Sequence, residues 1–396
     1  MSADLPGRAL VVGMGLSGQA AAGALHERGA EVVAADREDG TDEELALLDG
    51  VDVLVKSPGV PAENPLVVEA RSLGIPVWSE VELGYRLVPD GVRLVGITGT
   101  KGKTTTVRLL GAMLEAAGFP FALAGNEQPP LSEVAGSVEP GAWIVCELTS
   151  FQLEDVHTLV LDVAVLLNLE PDHIDRHGTF EAYRDAKLRI FERAGTAIVP
   201  AASGLQGIEW RPDEPLPAEP RIPGAHNREN AAAATHVARE LGVPEEAIAE
   251  CLVSFPGVEH RLEPIAEIRG VRWVNDSKAT NVAAAVRALD AYADDPVRLI
   301  AGGRGKGQSF EPLAAALGPN VTGVYLIGEA AEEIASVLGP RAVEVGDLGA
   351  AVVRAAADAR PGDVVLLSPA CASFDQFRDF VHRGEEFRRL VQNLEG

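Results

Sequence analysis

Apolar runs short enough for single strands recur along the chain, each closed by a glycine-rich or polar turn and followed by a stretch with apolar positions at helical spacing. Residues 8–12, 31–36 and 51–55 form a first group, 94–97, 143–146 and 163–167 a second, and 271–274, 297–301, 324–327 and 363–367 a third. Runs that are apolar along their whole length, rather than at alternate positions, predict parallel strands covered by helices on both faces. The alternation of strand and helix therefore predicts an α/β fold. A chain of 396 residues exceeds what one hydrophobic core usually serves, and the grouping predicts three consecutive domains with mostly parallel sheets, over 1–92, 93–257 and 258–396. Five prolines between Pro212 and Pro223 make 201–223 the stretch least suited to regular helix.

Composition agrees with this picture: 46% hydrophobic but only 5% aromatic residues suit helices packed on buried strands. A formal charge of −25, from 59 acidic and 34 basic residues, argues against a nonspecific nucleic-acid or anionic-membrane binder. Any anionic ligand must then be met by locally placed lysines, arginines and helix N-termini. No basic-then-apolar leader opens the sequence and no long uncharged apolar run follows, so a cytoplasmic location is expected. Cys146, Cys251 and Cys371, each in an apolar setting, read as reduced core residues.

Between the runs at 8–12 and 31–36 lies Gly13-Met14-Gly15-Leu16-Ser17-Gly18, with Asp36 closing the second strand. This is a dinucleotide fingerprint in a βαβ context: the glycines allow close backbone approach to a diphosphate, and the acid is spaced for a ribose hydroxyl. A nicotinamide or flavin and any other diphosphate nucleotide fit it equally. The turn Ser57-Pro58-Gly59 adds backbone donors at the same edge, or is an ordinary strand exit. After the run 94–97, Thr98-Gly99-Thr100-Lys101-Gly102-Lys103-Thr104-Thr105 opens a helix. Backbone N–H groups of such a loop surround phosphates, Lys103 neutralises them and the Thr104 hydroxyl is placed for Mg²⁺. Gly96 and Gly102 enclose five residues where the general phosphate-loop pattern has four, yet strand, glycines, Lys-Thr and helix are in register.

Glu147 closes the run 143–146 and is placed as a Mg²⁺ ligand, or as a surface acid in a helix cap with Thr149. The run 163–167 leads into Asp172, His173, Asp175 and His177, more titratable groups than a solvated loop needs. Lys187, with Tyr183 four residues before it and Ile190 and Phe191 after it, falls on the apolar stripe of a helix. A buried lysine can lose its proton and react at nitrogen, carbamate formation included, whereas the ordinary alternative is a snorkelling stem. Polar clusters at the strand exits of the third group are 275–281, 302–307 and 368–375.

Gly96-Ile-Thr-Gly-Thr-Lys-Gly-Lys-Thr-Thr105, Glu147-Leu-Thr-Ser-Phe-Gln-Leu153, Pro171-Asp-His-Ile-Asp-Arg-His177, His260-Arg-Leu-Glu263, Asn275-Asp-Ser-Lys-Ala-Thr-Asn281 and Leu367-Ser-Pro-Ala-Cys-Ala-Ser-Phe-Asp-Gln-Phe377 together resemble the Mur ligase family. The resemblance runs from about residue 8 to 392, and the last two motifs, with Ser150-Phe-Gln-Leu153, resemble its D-glutamate-adding branch. It implies a Rossmann-like first domain, a P-loop ATPase-like second and a Rossmann-like third that closes on ATP. It implies ATP-dependent ligation of D-glutamate to UDP-N-acetylmuramoyl-L-alanine through an acyl phosphate, in peptidoglycan synthesis, with ATP and Mg²⁺, by a monomer. The sugar-nucleotide side would comprise Gly15, Leu16, Ser17, Asp36, Arg37, Ser57, Pro58, Gly59 and Asn126. ATP would meet Gly99, Thr100, Lys101, Gly102, Lys103, Thr104, Thr105, Asn227, Asn230, Arg261, Asp276 and Lys278. Magnesium would be held by Thr104, Glu147, His173 and a carbamylated Lys187, and D-glutamate by Thr280, Lys306, Ser373 and Phe380. Lys103, His173, Lys187 and Lys306 would carry the chemistry.

Departures from the family pattern are Glu127-Gln128 after Gly125-Asn126, Thr149 for a usual serine, Phe374 for leucine, and a short stretch between Phe191 and Asn227 that suggests lost peripheral strands. The rival readings are a nicotinamide oxidoreductase built on Gly13 to Asp36, a non-catalytic ATP-binding relative, and a Mur-type ligase adding another amino acid.

Overall fold

The computed structural model describes residues 5–394, and its three sheets follow the three groups of apolar runs. In the first, β1 (Arg8–Val12), β2 (Glu31–Ala35), β3 (Val53–Lys56) and β4 (Val77–Ser79) lie in the order β2-β1-β3-β4, all parallel. In the second, β5 (Arg93–Thr98), β6 (Phe121–Gly125), β7 (Trp143–Glu147), β8 (Leu161–Leu166), β9 (Ala194–Pro200) and β10 (Ile208–Trp210) lie in the order β10-β9-β8-β5-β7-β6, again all parallel. The third holds β11 (Glu263–Ile268), β12 (Val271–Asn275), β13 (Val297–Gly302), β14 (Val321–Ile327), β15 (Ala342–Gly346) and β16 (Val364–Ala370), ordered β11-β12-β16-β13-β14-β15, with only β11 antiparallel. The fold is thus α/β with mostly parallel sheets.

Alternate residues of each strand enter cores on opposite faces, as the pleat requires. Ala9, Val11, Val53 and Val55 pack with Ala21, Ala24 and Leu25 of the helix Leu16–His26, whereas Leu10, Val12 and Leu54 pack on the other face with Leu66, Val67 and Ala70. In the third sheet Leu299, Leu326 and Leu366 face one core, and Ile300, Tyr325 and Leu367 the other. Burial on both faces is why these strands read as continuous apolar runs. The three cysteines are buried and free, matching the sequence reading. The proline-rich 201–223 holds no helix but contributes β10, whose buried Trp210 donates Nε1–H to Leu166 O at 3.0 Å. Among the described residues no helix is long and apolar enough to cross a membrane.

Residue contacts divide the chain into two compact units, one of residues through 219 with 229–253, the other of 220–228 with 254 onward. Inside the first unit the first two sheets are joined by buried polar contacts. Glu82, on the helix Glu80–Leu87, accepts from Thr158 Oγ1 at 2.6 Å and from the N–H groups of His157 and Thr158 at 2.8 and 2.9 Å. Glu80 accepts from Ser132 N–H at 2.7 Å.

Candidate active site

Each sheet places its polar turns where one strand exits between two neighbours, the position at which parallel α/β sheets gather ligands. In the first sheet the Gly13 turn leaves β1 between the ends of β2 and β3. Gly13 has φ +85° and donates its N–H to Ala35 O at 2.8 Å, while Ser57 Oγ donates to Gly13 O at 2.6 Å. A Cβ on Gly18 would stand 1.9 Å from Gly13 O, so only glycine lets the helix start this close to the turn. Asp36 accepts from Met14 N–H and from Glu38 N–H, and those bonds, Met14's first, hold its carboxyl below the usual value. Leu16 is 83% exposed at the mouth of the turn.

The second sheet is the denser site. Its loop leaves β5 with β7 on one side and β8 on the other, so Glu147, opposite Ile97, and the segment after Leu166, opposite Thr98, flank it. Gly102 has φ +85° and caps the helix Lys103–Ala116 with its N-terminus toward the loop. Asn168 binds the loop on both sides of Lys101, accepting from Lys101 N–H at 2.9 Å and donating to Lys101 O at 3.1 Å. Lys101 pairs with Glu170, and Thr100 Oγ1 accepts from Glu170 N–H at 3.0 Å. Lys103 Nζ donates to Gly99 O at 2.9 Å and Thr100 O at 3.1 Å. Lys187 Nζ, from the helix Phe180–Leu188, donates to the same Gly99 O at 2.8 Å.

Lys187 is only 2% exposed, which removes the snorkelling alternative. Burial, then the neighbouring Lys103 charge, lowers its pKa to about 7 against the upward pull of Asp172 and Glu147. Tyr183 beside it donates to Thr100 Oγ1 at 3.0 Å, and burial pushes its phenol up to about 12, so it remains a donor. Glu147 is 1% exposed, and Thr149 instead caps the helix Ser150–Leu153 in a capping box with Gln152, so the surface-cap alternative for Glu147 fails. The Gly125 turn crosses Glu147: a Cβ on Gly125 would meet Glu147 O at 2.1 Å, and Asn126 N–H donates to that oxygen at 3.1 Å.

His173 is half exposed and sits in the left-handed region, φ 51° and ψ 33°, where a non-glycine residue is strained. Its ring meets Phe151 edge-on at 5.0 Å; His177 stacks on Phe151 at 5.2 Å and bonds Ser150 Oγ at 3.0 Å. Among the described residues no group of three His, Cys, Asp or Glu converges into a metal cage. Magnesium needs no such cage, since it keeps waters and phosphate oxygens and takes few side chains. A buried carboxylate and a hydroxyl at a phosphate loop fit that hard cation. Asn227 and Asn230 lie one turn apart on the helix Ala225–Glu240; Asn227 Nδ2 donates to Pro223 O at 2.7 Å, and Asn230 Oδ1 packs against Gly102.

In the second unit, the exits of β12, β16 and β13 are adjacent. Asp276 follows β12 and accepts from Ser368 Oγ at 2.8 Å and Leu262 N–H at 3.2 Å. Burial raises its pKa to about 7, although those two bonds and the charges of Arg261 and Arg287 pull it down. Because the folded chain then holds a proton that the unfolded chain releases near 3.8, stability should fall as pH rises through that interval. Asp276→Asn is expected to remove up to about 1.4 kcal/mol of this loss per pH unit. Denaturant midpoints at about pH 5.5 and about pH 7 check it; an equal pH dependence in both proteins would refute it.

Lys278 Nζ lies 3.9 Å over the Phe380 ring, Lys306 Nζ reaches Thr280 Oγ1 at 3.5 Å, and Ser373 is buried three residues past the end of β16. The structure therefore brings Thr280 and Lys306 together, and Lys278 with Phe380. Sequence reasoning missed Asn168, Glu170 and Tyr183 around the phosphate loop. It also missed Arg383, a wholly buried guanidinium that donates to Ser277 O at 2.8 Å and Cys371 O at 3.2 Å, clamping two of the three exits. Its signal was an arginine on the apolar stripe with Phe387 and Val391.

A family model described as the Mur ligase middle domain matches residues 97–209, and one described as Mur ligase, glutamate ligase domain matches 260–371. UDP-N-acetylmuramoylalanine--D-glutamate ligase of Anaeromyxobacter dehalogenans is 42% identical, with 97% of each chain covered. The proteins of that name from Myxococcus xanthus and Geobacillus kaustophilus are 40% and 39% identical, with 98% of each chain covered. Among solved structures, UDP-N-acetylmuramate-alanine ligase from Thermotoga maritima superposes with a TM-score of 0.65 at 19% identity, over 98% of this chain and 99% of that one. MurF ligase of the same organism, in complex with ADP, superposes with a TM-score of 0.61 at 18% identity, over 89% and 91%.

Proposed function

Since the chain belongs to the Mur ligase family, we propose that it joins the amine of D-glutamate to the L-alanyl carboxylate of UDP-N-acetylmuramoyl-L-alanine through an acyl phosphate. It is an ATP-dependent amide-bond-forming ligase of peptidoglycan synthesis. The observation that carries the mechanistic reading is the pair of lysines, 103 and 187, that reach one carbonyl of a glycine-rich loop beside the buried Glu147. An oxidoreductase built on the Gly13 turn has no use for that arrangement.

The substrate carboxylate oxygen attacks the γ-phosphorus of ATP in line, and the bond to the β-phosphate oxygen breaks, releasing ADP. The loop's N–H groups and Lys103 hold the phosphates and offset charge on the transferred group. The amine nitrogen of D-glutamate then attacks the acyl carbon, the carbon–oxygen bond to phosphate breaks, and one proton leaves the nitrogen. Thr280, Lys306, Ser373 and Phe380 receive the amino acid, with Lys306 facing a carboxylate; Arg261, Asp276, Lys278, Asn227 and Asn230 serve the nucleotide. Leu16, Ser17, Asp36, Arg37, Asn126 and the Ser57-Pro58-Gly59 turn take the sugar nucleotide, Asp36 doing so from the fixed position its two backbone bonds give it. Thr104, Glu147 and His173 would hold Mg²⁺, which when bound offsets phosphate charge. Lys187, whose burial lowers its pKa to about 7, has an uncharged fraction near neutral pH that would attack carbon dioxide through its lone pair, lose a proton and become a carbamate able to join the residues holding Mg²⁺. The reading includes a cytoplasmic, monomeric protein that acts away from membranes and nucleic acids.

Phosphate release from ATP with UDP-N-acetylmuramoyl-L-alanine and Mg²⁺ tests this. Release is expected with D-glutamate and not with L-glutamate, L-alanine or no amino acid. Release with another amino acid instead would move the chain to a sister activity, and ATP binding without release would leave a non-catalytic relative.

A further inference from the structure

We infer that Lys56 is a positioning residue for the sugar-nucleotide substrate, setting where the Ser57-Pro58-Gly59 turn stands relative to the phosphate loop; this rests on the substrate reading given above. Lys56 ends β3, immediately before that turn, and its side chain is wholly buried. Its Nζ lies 3.0 Å from Glu154 Oε2 and 2.8 Å from Asp155 Oδ2, both belonging to the second sheet's layer. Asp155 also accepts from Arg71 at 2.7 Å; burial pushes its carboxyl up, but Lys56 and then Arg71 outweigh this and hold it low.

From Glu154 the contacts continue to the phosphate loop. Its other oxygen lies 3.6 Å from His177 Nδ1, the His177 ring meets Tyr183 edge-on at 5.4 Å, and Tyr183 bonds Thr100. A second strap runs the same way: Arg176, stacked over Phe151 at 4.5 Å, donates to Val60 O at 2.6 Å and Gly59 O at 3.4 Å. Adhesion alone does not call for this. A buried ion pair loses much of its attraction to desolvation, and apolar residues of similar size usually hold two surfaces together as well. What a pinned ammonium adds is a fixed direction for the residue that follows it, here Ser57, whose Oγ bonds the Gly13 carbonyl. In-line transfer is sensitive to such placement, because small misplacements of a reacting group are costly.

The test is the kinetics of phosphate release for the wild type, Lys56→Met, Glu154→Gln and Thr158→Val. Thr158 joins the same two layers through Glu82, away from the turn. Lys56→Met and Glu154→Gln are each expected to raise KM for UDP-N-acetylmuramoyl-L-alanine by about tenfold or more while KM for D-glutamate and ATP stay within about twofold. Thr158→Val should lower the melting temperature without moving any KM. The inference is overturned if Glu154→Gln keeps the wild-type KM, if Thr158→Val raises it equally, or if all three substrates' constants shift together. Glu154 is partly exposed, so that variant decides the matter even if Lys56→Met does not fold. A wild type that releases no phosphate with these substrates would instead refute the substrate reading.

Discussion

Lys187→Ala is expected to lower D-glutamate-dependent phosphate release by about a thousandfold, with the protein still folded. The side chain is buried and its nitrogen meets Gly99 O, yet Lys103 donates to that same oxygen, so removing Lys187 leaves the loop carbonyl with a partner. The loss should therefore fall on chemistry rather than on the loop's shape. Lys187→Arg separates the two roles a lysine could have here. A guanidinium keeps charge and donors but stays protonated and forms no carbamate, so this variant should be as inactive as the alanine. Isotopically labelled bicarbonate should give the wild type a carbamate carbon resonance that both variants lack. Full activity in Lys187→Ala, or in Lys187→Arg, would end the carbamate assignment.

Gly102→Ala should weaken binding of a non-hydrolysable ATP analogue by about a hundredfold or more, read by calorimetry. Two independent costs meet at this position. The backbone has φ +85°, a conformation that costs an L-residue roughly 1–2 kcal/mol. A Cβ would also stand 2.1 Å from Asn230 Oδ1, and Asn230 is itself buried on the helix Ala225–Glu240. Relief requires turning the buried Asn230 amide out of its place or moving the loop, and the loop is held at neighbouring residues by Asn168 and Tyr183. Circular dichroism should show an intact fold. Unchanged affinity in the variant would mean that the loop adapts and that its shape does not govern nucleotide binding.

The phosphate loop was legible in the sequence because strand, glycines, Lys-Thr and helix are contiguous, and the glycines declare the backbone angles they permit. The extra residue between Gly96 and Gly102 did not disturb it; Gly96 lies inside β5, where a Cβ would meet Leu161 at 2.5 Å, so its role is packing. The α/β class was legible for the same local reason. Strands buried on both faces carry apolar residues at nearly every position, and ten of the sixteen strands stood out as such runs; of the other six, β4, β6, β10, β11 and β15 lie at sheet edges.

Lys187 marks the limit. Periodicity put it on the apolar face of its helix, but could not say that Gly99, 88 positions earlier, would cover that face and that Lys103 would stand beside it. Lys56 and Glu154 are 98 positions apart, and Arg383 and Ser277 are 106. By itself the sequence determined the conformations that depend on neighbours along the chain: the order of strands and helices, the turns that demand glycine, and the residue types at each strand exit. The tertiary structure alone decided which of those residues lose water and which partners they then meet. Desolvation and pairing are set by groups remote in sequence, and those two effects lower the pKa of a lysine on a helix or fix another between two carboxylates.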